Sequence, residues 1–258
     1  MEEAEHRLGV AVSLVLALAA VEPAPGEAAG KTYGTKTWTW SFAADTLGLP
    51  PSNTATFGGS WAVLVDSTRT PGLGAVPSRA DTLASDADSA AIASASDSAA
   101  IAKVLASAPR VLRQSESDDG IKYHFIQFKK PILEDQAVSV RFRIVAGDID
   151  PTAGVMVQVD AKGRNGYIVR VSGESSQLIV HYLIYGKRRD LKFAKIPRLE
   201  PGTWHTLSAE HKGAIMTVRY DGEEKIRIRD ERYSGGSAGL WTEDDTVVDF
   251  DQLAVSKR

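Results

Sequence analysis

From Lys31 onward, hydrophobic and polar residues alternate with a period of two in short runs. KTWTWSF (36–42) sets Trp38, Trp40 and Phe42 against threonine and serine, and VSVRFRIV (138–145) sets Val138, Val140, Phe142 and Ile144 against Ser139, Arg141 and Arg143. GYIVRVSG (166–173), QLIVHYLIYG (177–186), WHTLSAEHKG (204–213), IMTVRYDG (215–222) and KIRIRD (225–230) continue it, each closed by Gly, Asp or Asn. Such runs are half-buried strands separated by turns. Asp221–Gly222 carries the signature of a tight hairpin turn. Many short strands with few helical patterns between them predict an all-β fold, an antiparallel two-sheet jelly-roll sandwich.

Two segments break the alternation. Leu8 to Val21 (LGVAVSLVLALAAV) is an uncharged apolar run, followed by the Pro-rich EPAPGEAAG. It is short for a membrane span and has the length of a signal-peptide core. Residues 1–30 are therefore expected to be a leader, cleaved after Ala19 or Ala28, with the protein exported to the periplasm or beyond. The acidic start MEEAEHR departs from the usual basic one, and a buried helix or an N-terminal anchor is the alternative. The second segment, Ala80 to Ala108, holds twelve Ala and six Ser and contains DSAAIA at 88–93 and 97–102. Alanine favours helix while Asp and Ser favour turns. This reads as a surface insertion with a short helix from Asp97 to Ala106, inside one jelly-roll domain spanning 31–258.

Composition narrows the chemistry. The 258 residues include no cysteine, which removes disulfides, thiolate metal sites, a cysteine nucleophile and disulfide-linked partners. The net charge of -3 comes from 33 acidic and 30 basic residues. Residues 1–30 hold five of the glutamates and one arginine, so the remainder carries 28 acidic and 29 basic residues. A near-neutral domain lacks the footprint of a dedicated nucleic-acid binder. No stretch after the leader is long and apolar enough to span a membrane.

Several pieces resemble a known family: FGGSWAVLVD (57–66), PRVLRQ (109–114), VSVRFRIVAGDID (138–150), the AG at 153–154, NGYIVR (165–170), PGTWHTL (201–207), VRYDG (218–222) and AGLWTEDDTVVDFDQLAV (238–255). Together they look like the concanavalin A-like, laminin-G-like jelly rolls of the 3-keto-disaccharide hydrolase domain family. Members commonly carry a Trp-Arg pair where this chain has Val157 and Gln158, and a closing FDD where it has Phe250, Asp251 and Gln252. The resemblance implies a jelly roll and points to sugars. It also implies a structural Ca²⁺, for which Asp251 and the early Asp45 are the matching acidic residues; the alternative is that Asp251 pairs with an arginine. Laminarinase-type enzymes of this fold carry a Glu-x-Asp-x-x-Glu strand, which occurs nowhere here.

The residues themselves offer a polar row. With strands at 138–145, 153–160, 166–172 and 177–184, Arg143, Gln158, Arg170 and His181 fall opposite the valine faces. If these strands are neighbours, the four side chains form a stripe of planar donors suited to sugar hydroxyls, with Tyr167 and Tyr185 as an aromatic edge. A solvated outer face is the competing reading. Among the tryptophans, Trp61 is the candidate stacking platform, and the others are expected in the core. His205 and His211 sit on one strand about 20 Å apart, too far to share a metal. The acidic runs at Glu116, Asp118 and Asp119 and at Glu243, Asp244 and Asp245 read as solvated loop charge. Lys187, Arg188 and Arg189 read as an exposed basic loop. The leading expectation is an exported, non-catalytic carbohydrate-binding module. A hydrolase or lyase acting on 3-keto glycosides and a structural envelope module are the alternatives.

Overall fold

The computed structural model describes residues 35–69, 102–118 and 122–258. The expected leader, with both expected cleavage points, lies outside them, as does 80–101 of the expected insertion. Of the helix expected from Asp97 to Ala106, 97–101 lie outside the described residues, and 102–107 are helical.

Alternating runs become strands wherever one face can be buried. One sheet, among the described residues, orders β13 (Glu223–Arg229), β12 (Ile215–Tyr220), β11 (His205–Lys212), β6 (Gln136–Ala146), β15 (Val247–Lys257), β4 (Arg110–Gln114) and β3 (Trp61–Val65), with β1 (Thr37–Trp40) pairing along β15. The other orders β10 (Lys187–Lys195), β9 (Gln177–Ile184), β8 (Gly166–Ser172), β7 (Thr152–Val159), β14 (Gly236–Glu243), β5 (Tyr123–Leu133) and β2 (Thr54–Phe57). The pairings between these strands are antiparallel. Asp221 and Gly222 both adopt positive φ and join Tyr220 to Glu223, the tight hairpin turn that the Asp-Gly pair predicts.

The inward faces close on one core. Val138, Val140, Phe142 and Ile144 of β6 meet Ala153, Val155 and Val157 of β7 and Tyr167, Val169 and Val171 of β8. Each large apolar side chain buried this way contributes roughly 1.5–3 kcal/mol. No disulfide is available, so this packing carries the sandwich.

Two single residues with left-handed backbone reset the alternation. In β15, Val248 and Phe250 point inward before Gln252, whereas Leu253 and Val255 point inward after it. Gln252 has φ 51° and marks the register shift against β6. In β7, Gln158 has φ 52°, beside a register shift against β14. An extra residue of this kind turns the next positions of the strand to the other face. Val159 accordingly leaves the main core for a smaller cluster with Met156, Ile168, Leu183 and Trp241 on the outer face of the seven-stranded sheet.

Candidate functional site

That outer face carries a connected set of charged side chains. Residues of β14, β5, β8, β9 and β10 project there because each alternates with an inward hydrophobe. On β14, Trp241 and Glu243 alternate with Leu240 and Thr242; on β8, Arg170 sits between Val169 and Val171. Glu243 is buried and lies opposite Tyr123 across the β14–β5 ladder. Its Oε1 accepts from Trp241 Nε1 at 2.9 Å, faces Arg170 Nε at 3.0 Å, and also takes Arg188 Nη1. Arg170 Nη1 reaches Asp150 Oδ2 at 3.1 Å and Thr152 Oγ1 at 3.3 Å. The Arg188 guanidinium lies 4.9 Å from the centre of the Tyr123 ring, a cation–π contact.

His181 completes the set. Its Nε2 accepts from Arg170 Nε at 3.2 Å, and its Nδ1 lies 2.8 Å from Asp190 Oδ1. A neutral ring with the proton on Nδ1 satisfies both contacts. Burial, then the positive charges of Arg188 and Arg170, push its pKa down to about 4, so it is neutral near pH 7.

The constellation has a floor and a rim. Glu243, Arg170, His181 and Trp241 are buried, whereas the Asp190 side chain is 84% exposed and Arg188 and Tyr123 are partly exposed. The buried members hold the outer ones in place. Gly154 makes room for them. It pairs with Trp241 on one side and Arg170 on the other. A Cβ there would lie 2.8 Å from the Val169 carbonyl oxygen and 2.9 Å from Arg170 Cβ.

The expected stripe is only half formed. Arg170 and His181 meet on adjacent strands of one sheet. Arg143 belongs to β6 in the other sheet, where it donates to Asp249 Oδ2 at 2.6 Å and pairs with Asp66 at 3.1 Å. Gln158 turns inward, because its left-handed backbone breaks the alternation. Its Oε1 lies 2.7 Å from His211 Nδ1 and its Nε2 donates to the Glu134 carbonyl. Tyr167 is also a core residue, donating to Asp230 Oδ1 at 2.6 Å, while Tyr185 stays 73% exposed. Trp61 is 5% exposed, stacks on Phe250 and donates to the Gly58 carbonyl. It is a core residue rather than a platform.

Glu243 and Arg188 are the residues that sequence reading misplaces. Both sit in charged runs that look solvated, and only pairing across strands shows that they meet. The signal available is Trp241 two positions before Glu243, which puts both on one strand face.

The calcium expectation fails on its donor set. Asp251 lies 3.0 Å from Arg69 and 3.7 Å from Arg141, so two guanidiniums already neutralise it. Asp45 Oδ1 is 3.4 Å from the Ser52 amide. A carboxylate held by arginines does not offer a hard dication the anionic oxygen shell it needs. Glu116, Asp118 and His124 have ligand atoms within 4.8 Å of one another, which is metal-like spacing. Yet Gln114 Nε2 lies 2.9 Å from His124 Nδ1 while Gln114 Oε1 faces the Glu116 and Ser60 amides. That arrangement leaves Nδ1 as acceptor and puts the ring proton on Nε2, which donates to Asp118 at 3.0 Å. A metal on Nε2 would displace that proton, so the group is a hydrogen-bonded clamp.

No protein-family profile matches the chain. No curated protein matches it either. Solved structures do. A carbohydrate-binding module, CBM66, from Bacillus subtilis superposes with a TM-score of 0.50 at 19% identity, covering 55% of this chain and 84% of the module. The exoplasmic/lumenal domain of VIP36 in its Ca²⁺/Man3GlcNAc-bound form gives 0.46 at 14% identity, covering 57% and 78%. A galectin-like-fold protein of unknown function from Bacillus subtilis gives 0.46 at 9%, covering 60% and 86%. The chain is thus an antiparallel jelly-roll sandwich like that of CBM66.

Proposed function

We propose that this chain is an exported carbohydrate-binding module that holds its ligand, without cleaving it, on the outer face of the seven-stranded sheet. The observation that carries the reading is the buried Glu243 carboxylate. It anchors Arg170 and Arg188, and Arg188 lies against the Tyr123 ring beside the exposed Asp190. Fixed guanidinium and carboxylate groups supply paired donors and acceptors for vicinal hydroxyls, and the ring edge supplies an apolar surface. The shared jelly roll with a carbohydrate-binding module supports the same reading. Export rests on the apolar run Leu8–Val21 and its Pro-rich sequel.

Binding without turnover fits the roles of the acidic groups. Glu243 is engaged by two arginines and Trp241, and Asp150 by Arg170 and Ser172. Isothermal titration against a panel of bacterial and plant polysaccharides, with product analysis of each mixture, tests the proposal. The expected result is saturable heat with at least one glycan, lost in Arg188→Ala and Tyr123→Ala, with no new reducing ends. No binding across the panel would overturn it, and sugar release would replace it with a hydrolase or lyase.

A further inference from the structure

A recess opens on the same outer face, at the far end of β5. Tyr123, Phe125, Gln127 and Lys129 alternate along that strand. From Tyr123 to Gln127 the distance is about 13 Å at ~3.3 Å per residue. The recess encloses about 450 Å³ and is lined by Ala55, Ile132, Val159 and Ala161 on its apolar sides, with Gln127 and Lys129 among its polar ones. That volume is within the usual range of small-ligand sites, roughly 300–1,000 Å³.

Three features of the recess are not explained by folding. Gln127 is 4% exposed, and its Nε2 is committed to the Asp160 carbonyl and Ser237 Oγ, each at 2.7 Å. Its Oε1 has no hydrogen-bond partner among the described residues, although the side chain lines the recess. A nearly buried amide fixed by its donor side, with a free acceptor, is set for an incoming donor. Ile132 is 70% exposed on the rim, which leaves an apolar side chain in water. Lys129, also on the rim, makes no ion pair among the described residues. Gly236 permits the close approach of β14 to β7 here, since a Cβ on it would lie 2.3 Å from the Gln158 carbonyl carbon.

The charges favour a neutral ligand. Lys129 contributes one positive charge and Asp160 one negative. The Asp160 carboxylate is turned to its own loop, accepting from the Lys162 and Arg164 amides and from Asn165 Nδ2. Burial alone would raise its pKa, and those hydrogen bonds outweigh it and hold it low. We infer that this recess is a second binding site, for one neutral sugar ring. The ring's C–H face lies on Ile132, Ala55 and Val159, one hydroxyl donates to Gln127 Oε1, and another accepts from Lys129. The choice of a sugar over another neutral polyol rests on the function proposed above; the recess and its free acceptor do not.

The test is an NMR titration of the isotopically labelled protein with the methyl glycosides of glucose, galactose and mannose, each added separately. The Gln127 side-chain amide and Ile132 methyl report on this recess, and the Trp241 indole N–H reports on the constellation around Glu243. The expected result is a saturable shift at Gln127 and Ile132 with at least one glycoside. Its apparent Kd should rise at least about tenfold in Ala55→Trp, which fills the recess from an edge strand, with the Trp241 response unchanged. Lys129→Ala, at an exposed position, should weaken the same shifts without disturbing the fold. Silence at Gln127 and Ile132 with all three glycosides overturns the inference whatever Trp241 does, as do shifts that survive Ala55→Trp. Silence at Trp241 alone counts against the constellation and leaves this recess standing.

Discussion

Asp249 on the central strand β15 stands directly between Arg143 of β6 and Arg113 of β4, in register with both. Its carboxylate takes Arg113 through Nε at 2.6 Å and Nη2 at 2.9 Å, and Arg143 Nη2 at 2.6 Å. The Asp249 side chain is fully buried and that of Arg143 nearly so. Hydrogen bonding to Asp249 is the main cause that raises the Arg113 pKa. Asp249→Ala leaves a buried guanidinium without its counter-charge, and removing one partner of such a pair costs about 3–5 kcal/mol. Urea unfolding is expected to show that loss. A loss under about 1 kcal/mol would mean that Asp66, with the Trp204 ring 4.7 Å from the guanidinium, suffices to hold Arg143.

This network also shows where sequence reading stops. The strands themselves are legible, because alternation needs only local sequence: 166–172, 177–184 and 215–220 coincide with β8, β9 and β12. Which sheet a strand joins depends on pairing partners far along the chain. β6 pairs with β11 and β15 rather than with β7, so Arg143 faces away from Arg170. Gln158 escapes for a different reason. One residue with φ 52° reverses the face of its side chain, and nothing in VMVQVD announces the bulge. Glu243 looks solvated because it stands beside Asp244 and Asp245. Its burial comes from Arg170 and Arg188, 73 and 55 positions away.

Gln158→Ala is accordingly predicted to cost stability and leave ligand binding alone. The substitution strips the contact with His211 and the bond to the Glu134 carbonyl, both in a buried setting. Leaving such groups unpaired costs about 1–3 kcal/mol. Thermal unfolding should register the loss, while glycan titration of the folded protein should match wild type. A binding defect without a stability change would place Gln158 in the ligand site after all.

Glu243→Gln tests the anchor itself. The amide keeps the shape but removes the charge that faces Arg170 and Arg188. A charged hydrogen bond is worth about 1.5–3 kcal/mol, so glycan affinity should fall roughly tenfold to hundredfold. Circular dichroism and the urea midpoint check that the sheet persists. Unchanged affinity would show that Arg188 and Tyr123 keep their positions without Glu243.

Acid should loosen the same site through His181. Its folded pKa, about 4, lies below the ordinary value of 6.5. Between those values the unfolded chain binds a proton that the folded protein refuses. Stability is therefore intact above about pH 6.5, falls as pH drops, and has lost the full contribution near pH 4. The loss is on the order of 3 kcal/mol. Urea midpoints measured across that range should decline in wild type and decline less steeply in His181→Gln. Parallel slopes in the two proteins would assign the acid sensitivity to other groups.

Gly154 separates a role in binding from one in folding. It lies between Trp241 and Arg170 across three strands, in the space that lets the Arg170 side chain reach Glu243. In Gly154→Ala the new methyl meets the Val169 carbonyl and Arg170 Cβ below 3 Å, so β8 must shift and carry Arg170 with it. Overpacking of this kind costs roughly 1–3 kcal/mol. A domain that survives it should bind glycan more weakly than the stability loss alone explains, because the floor beneath Arg188 has moved. Arg170→Ala with Gly154 kept leaves that space open and should also lose binding, because the group that Glu243 and Asp150 hold is gone. If Arg170→Ala binds as wild type does, Arg170 is a packing residue and the site is built from Arg188, Tyr123 and Asp190 alone.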